Sequence, residues 1–112
     1  CLICRLWQNG AEVDPLKATT YGTTAPGSPS TGAFYYNVVT STPVTALMRY
    51  SGSLWEDVTA NATYKHAKTY TWYRRDKDGN PLDSGTAFAT GKVIYVDGDD
   101  VDNKTVFVCE VE

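Results

Sequence analysis

Apolar residues alternate with polar ones over several short stretches of this chain, and no stretch sustains the 3.6-residue period of an amphipathic helix. The pattern predicts strands and essentially no long helix. In Thr105-Val106-Phe107-Val108-Cys109-Glu110-Val111 the alternation sets Phe107, Cys109 and Val111 on one face and Val106, Val108 and Glu110 on the other. In Thr69-Tyr70-Thr71-Trp72-Tyr73-Arg74-Arg75 it sets Tyr70 and Trp72 on the core side and turns Tyr73 outward. Further strands are expected over residues 33–40, 44–50 and 92–96, with a short edge strand over residues 54–58.

Between these stretches stand residues that turn the chain. Residues 2–14 read as a hairpin, because Asn9-Gly10 readily takes the two positive φ values of a type I′ turn, and Pro15 closes its second arm. Residues 21–32 are rich in Gly, Pro, Ser and Thr without apolar periodicity, which predicts a linker or a long exposed loop. Asp76-Lys77-Asp78-Gly79-Asn80-Pro81 is dense in turn formers. The expected organisation is therefore a hairpin segment over 1–20, a linker over 21–32 and a β-domain over 33–112.

Composition narrows the picture. The 112 residues suit one domain, and many Thr and Val beside eight Tyr and three Trp favour strands, so the fold class is all-β. A net charge of −3 offers no basic field for nucleic acid, and Arg74-Arg75 with Lys77 reads as a solvated strand end. No apolar run approaches the roughly 20 residues needed to cross a bilayer, so neither nucleic acid nor membrane is expected as a partner. The first residue, Cys1, is expected of a processed product or of part of something longer. Cys1-Leu2-Ile3-Cys4 continues as a strand rather than as the polar tether of a lipoprotein.

Candidate chemistry is sparse. Cys1 and Cys4 make a Cys-x-x-Cys, but on an extended strand residues three apart lie roughly 10 Å apart on opposite faces. They are expected as buried structural thiols, and three cysteines without an obvious pair fit a reducing assembly compartment. Asp76, Asp78 and Asn80 have the spacing that opens a calcium loop, yet Pro81 stands where Gly is required, and Asp97, Asp99, Asp100 and Asp102 read as solvated turn residues. His66 falls in an expected exposed connection, and no nucleophile elbow, zinc-protease or phosphate-loop motif occurs. The expectation is no enzyme, no metal and no cofactor. Asn61-Ala62-Thr63 and Asn103-Lys104-Thr105 match the glycosylation acceptor pattern, which matters only in a eukaryotic secretory pathway. Trp7 and Trp55, each beside a turn or on a short strand, and the outward Tyr73 are the candidate contact surface.

From about Val44 to Glu112 the chain resembles the Ig-like domains carried by structural proteins of tailed bacteriophages and by related prophage and bacterial surface proteins. The resemblance rests on Glu56-Asp57-Val58-Thr59, on Tyr70-Thr71-Trp72-Tyr73 followed by Asp76-Lys77-Asp78-Gly79, and on Gly91-Lys92-Val93-Ile94 leading through Asp99-Asp100-Val101-Asp102 to Val106-Phe107-Val108-Cys109. It implies an immunoglobulin-like antiparallel β-sandwich, here with an N-terminal β-hairpin, whose core is marked by Trp72, Phe107 and Cys109. It also implies a non-enzymatic module of a virion, in a tail or capsid-surface protein, assembled in the host cytoplasm and acting through contacts with other virion proteins in a homo- or hetero-oligomer. The alternative is a carbohydrate-binding or adhesion module, extracellular or at a cell surface, that takes a host surface glycan. Leu47 or Met48 stands where antibody domains have a bridging Cys, and Phe107 stands where they have a corner Tyr. The sandwich is thus expected to lack the ~2 to 4 kcal/mol of an inter-sheet disulfide. The strand bearing Cys109 is expected to be completed by residues 2–14 or by a partner, since an unpaired edge is an open template.

Overall fold

The computed structural model describes residues 1–98 and 105–112, and the acidic run Asp99-Asp100-Val101-Asp102 with Asn103 and Lys104 lies outside them. Its regular elements are eleven strands and one 3₁₀ turn, Asp83–Gly85; no helix among the described residues is long and apolar enough to cross a membrane. The absence of a 3.6-residue apolar stripe explains this, since a helix without one has no face to bury. The protein is all-β.

The largest sheet has four strands, β4 (Tyr21–Gly22), β5 (Phe34–Asn37), β6 (Ala46–Tyr50) and β7 (Trp55–Asp57), in that order. β5, β6 and β7 form an antiparallel meander with Tyr36 opposite Leu47 and Tyr50 opposite Trp55. β4 joins it in parallel, inside the stretch expected to be wholly irregular. The Asp57 carboxylate closes the end of β7, accepting the backbone N–H of Thr59 at 3.0 Å and its hydroxyl at 2.7 Å. Thr59 Oγ1 in turn accepts the Leu47 N–H at 2.9 Å, so a short Asx turn ties β7 back to β6.

A second sheet runs β11 (Val106–Val111), β8 (Tyr70–Arg75), β9 (Ala89–Thr90), all antiparallel, with Cys109 directly opposite Trp72. The Trp72 indole N–H donates to the Gly91 carbonyl at 2.7 Å, which fixes the ring against β9. The N-terminal segment differs from a single hairpin. β1 (Leu2–Ile3) pairs with β10 (Val93–Ile94), while β2 (Trp7–Gln8) and β3 (Ala11–Glu12) pair with each other around Asn9 and Gly10, both at positive φ. The turn chemistry of Asn-Gly is local and acts where it stands, whereas the partner of Leu2–Ile3 is set by long-range packing.

Of the strand expected over residues 92–96 only Val93–Ile94 is regular, and both residues are buried, at 1% and 0% exposure. Their side chains leave on opposite faces and enter two different hydrophobic clusters. Val93 packs with Ala18, Tyr36, Leu47 and Val58; Ile94 packs with Trp72 and Ala89, bordered by Leu2, Cys4, Phe88, Phe107 and Cys109. On its other edge β10 meets the approach to β6 through a bridge between Val44 and Ile94 and a bond from the Tyr95 N–H to the Pro43 carbonyl at 2.8 Å. At roughly 1.5 to 3 kcal/mol for each fully buried aliphatic side chain, this two-residue strand contributes far beyond its length.

Candidate functional site

Two places concentrate side-chain and backbone chemistry: the outer edge of β11 and a polar cluster beside β10. The edge follows from the ladder. Thr69 and Glu112 exchange both backbone bonds, at 2.8 and 3.0 Å, so bonded pairs alternate from there and Glu110, Val108 and Val106 also turn their N–H and C=O groups toward β8. The N–H and C=O groups of Phe107, Cys109 and Val111 then point away from β8, and no strand among the described residues pairs with them. Completion of this edge by residues 2–14 is overturned, because Leu2 and Ile3 spend their pairing on β10 and residues 7–12 spend theirs on each other.

The outer face next to that edge carries Val106, which is exposed, and the half-buried pair Val108 and Tyr73, directly opposite each other. The inner face carries Phe107, edge-on to Phe88 at 5.6 Å between ring centroids, and Cys109. Trp55 is held at 4.8 Å by Tyr35 and at 5.3 Å by Tyr50, and Trp7 stands 63% exposed beside the Asn9-Gly10 turn. Trp7, Trp55 and Tyr73 lie in three different sheets, so they do not form one platform.

The polar cluster was not legible as a site. Asp14, a buried carboxylate after β3, accepts three bonds: from the His66 ring Nδ1 at 3.1 Å, the Lys68 backbone N–H at 3.2 Å and the Tyr70 hydroxyl at 3.0 Å. Burial pushes its carboxyl up, but these three donors outweigh burial and hold it below the usual carboxylate range. His66 Nε2 lies 2.7 Å from the Tyr36 hydroxyl. Burial lowers the affinity of His66 for a proton, and the charges of Lys92 and Lys17 lower it further, against the raising effect of Asp14. A neutral ring facing an ionised carboxylate keeps its proton on Nδ1, so Nε2 accepts from Tyr36. Burial, followed by the Asp14 charge, raises the Tyr36 phenol, which stays protonated and can donate.

Lys92 completes the cluster. Its side chain is fully buried, with Nζ 3.0 Å from Glu12 Oε1 and 5.6 Å from the centre of the Tyr70 ring. Lys92, Tyr70, His66 and Tyr36 border a cavity of about 220 Å³ that also touches Thr45, Thr90 and Gly91. Every buried side-chain nitrogen or oxygen among the described residues has a partner. The chain Asp14–His66–Tyr36 therefore works as a clasp, tying the end of β3 and the connection at residues 61–69 to β5 and β8. Its last hydroxyl is buried against the imidazole instead of being presented to solvent.

His66, expected in an exposed connection, is largely buried for this reason. A signal did exist: the chain's one His lies in Tyr64-Lys65-His66-Ala67 without the Gly and Pro density of a free loop. Comparison with family models, curated proteins and solved structures finds no match. The chain stands on its own geometry.

The remaining sequence candidates are placed as follows. Trp72 is buried opposite Cys109. Cys4 and Cys109 are half-buried in one cluster, but Cys1 is exposed, against the expectation of burial; it precedes β1 and lines an open hollow together with Tyr21, Val38 and Tyr95. Asp76 turns its carboxylate into its own loop, where Oδ1 accepts the N–H groups of Asp78 and Asn80, each at 2.9 Å. Those bonds, that of Asn80 foremost, lower its pKa. No group of three potential metal ligands occurs among the described residues, and of the second acidic set Asp99, Asp100 and Asp102 lie outside them.

Proposed function

We propose that this chain is a non-enzymatic, Ig-like β-sandwich module of a phage virion protein, of the tail or the capsid surface, that acts by protein–protein contact. The observation that carries the reading is the open edge of β11. Three residues there, Phe107, Cys109 and Val111, hold backbone donors and acceptors outward beside the apolar Val106, Val108 and Tyr73. An extended segment of a neighbouring virion protein adds to such an edge by main-chain bonds, and the flanking side chains select it. Trp72 packed opposite Cys109, as the sandwich arrangement requires, supports the same reading.

The test uses Val111→Pro, which removes one outward N–H and leaves the bonds to β8 intact. The wild-type chain is expected in purified particles of the phage that encodes it. The variant is expected to enter them about tenfold less while melting within a few degrees of the wild type. Absence of the wild type from particles, or undiminished entry of a folded variant, refutes the proposal. The glycan-binding alternative is favoured by one observation, the exposure of Trp7. It predicts saturable binding to host cell-wall glycan that Trp7→Ala abolishes.

A further inference from the structure

The two ends of the chain bring a pair of thiols to one place. Along β1, Leu2 and Cys4 project to the side of Ile94 while Ile3 stands out toward solvent, and the Cys4 N–H is fixed to the Lys92 carbonyl at 3.0 Å. Along β11, Cys109 projects to the side of Trp72, in a pair whose side chains approach closely because the two residues exchange no backbone bonds. Both thiols pack on the same buried set, Trp72, Ala89 and Ile94, one from the residue that follows β1 and the other from the three-stranded sheet.

We propose that Cys4 and Cys109 form a redox-modifiable pair that closes to a disulfide on exposure to a small-molecule disulfide such as glutathione disulfide. In the first exchange one protein thiolate attacks the oxidant, forming a mixed disulfide and releasing one glutathione thiolate. In the second, the other protein thiolate attacks the mixed disulfide at the protein sulfur and releases the second glutathione. The protein loses two protons and two electrons, and glutathione disulfide becomes two reduced glutathiones. Cys109 bears on the rate. Burial, and after it the neighbouring Cys4 thiol, push its pKa up to about 12, so little Cys109 thiolate forms at neutral pH and exchange through it is slow there. Cys1, exposed and apart from this cluster, takes no part.

The bond would join β1 to β11 and close nearly the whole chain into one loop, where a crosslink restricts the unfolded state most. A module folded with free thiols in a reducing compartment would thereby be locked in an oxidising one.

The experiment incubates the native protein and its Cys1→Ser variant with glutathione disulfide at pH 8.5, followed by intact mass, peptide mapping without reduction, and thermal melting. The expected result for both is the loss of two hydrogens per chain and a crosslinked peptide pair containing Cys4 and Cys109. A rise in melting temperature on the order of 10 °C, reversed by dithiothreitol, should accompany them. Three outcomes overturn the proposal: no crosslink, a crosslink that joins Cys1 to Cys4 or two chains in its place, or a Cys4–Cys109 bond that leaves the melting temperature unchanged or lower.

Discussion

Replacing Asp14 by Ala removes one carboxylate and strands three donors: the imidazole N–H of His66, the Lys68 backbone N–H and the hydroxyl of Tyr70. The Lys68 N–H is near the surface and can turn to water, but Tyr70 is almost wholly buried and His66 largely so. A buried donor left without a partner costs about 1 to 3 kcal/mol, and more where the lost acceptor was charged, so the two together should cost about 3 to 5 kcal/mol. Against the 5 to 15 kcal/mol typical of a whole domain, that is a large fraction, and for a chain of this size it corresponds to a fall in melting temperature of roughly 15 °C. Asp14→Asn keeps one acceptor oxygen and should lose about half as much.

Urea denaturation with a constant m-value, repeated from pH 8 to pH 3, checks both numbers and adds a signature of its own. The folded state depresses the His66 pKa below the ordinary imidazole value of about 6.5, so the unfolded chain binds that proton first and stability falls as pH drops below about 6.5. Asp14, also depressed, contributes stability that is present above the ordinary Asp value of about 3.9 and is lost as pH falls through its lower folded value. In Asp14→Asn the second loss disappears. The first extends to lower pH, because the carboxylate no longer raises the proton affinity of His66. An Asp14→Ala variant destabilised by less than about 1 kcal/mol, or an Asp14→Asn variant with the acid profile of the wild type, would refute the clasp.

Two further expectations follow from buried charge and from turn geometry. Lys92→Met leaves Glu12 facing a dry wall and should cost about 2 to 4 kcal/mol, while the double variant Lys92→Met with Glu12→Gln should recover most of it; a thermodynamic cycle on urea midpoints measures the coupling, and a coupling near zero contradicts the buried pair. Gly10→Ala meets no atom within 4 Å but must hold φ at +81°, so it should cost about 1 kcal/mol by backbone strain alone, read from the same midpoints, and a neutral substitution would mean that the turn relaxes freely.

What could be read in the chain and what could not divides along sequence distance. Asn9-Gly10 states its turn in two residues, and Asp57 with Thr59 closes β7 within three, because the groups that decide the conformation are neighbours. The alternation in residues 105–111 placed Phe107 and Cys109 on one face, and the pleat does the same. The choice of partner for β1 is different. Leu2 and Ile3 fit any ladder, and only the burial of Ile94 between two clusters decides for β10. The clasp joins Asp14, Tyr36 and His66 although Asp14 and His66 stand 52 positions apart, and no local pattern announces such a meeting. Nothing near Lys92 in the sequence announces its burial, because a lysine goes inside only where a carboxylate such as that of Glu12 arrives from a distant segment to pair with it. Antibody domains place the cysteine that faces this strand where Leu47 and Met48 stand, whereas here the thiol neighbouring Cys109 comes from the opposite end of the chain.

The two buried residues of β10 decide how this protein can fail and how it can be altered. Since Val93 belongs to one cluster and Ile94 to the other, neither cluster can melt without dragging on the same two peptide groups, and the chain should come apart in one cooperative step rather than sheet by sheet. It also ranks the sites where foreign sequence can be spliced in. The tip at Asn9-Gly10, where a side chain added at Gly10 meets no atom within 4 Å, can carry an insertion, while a cut between Gly91 and Tyr95 would sever the backbone through which Val93 and Ile94 feed both clusters.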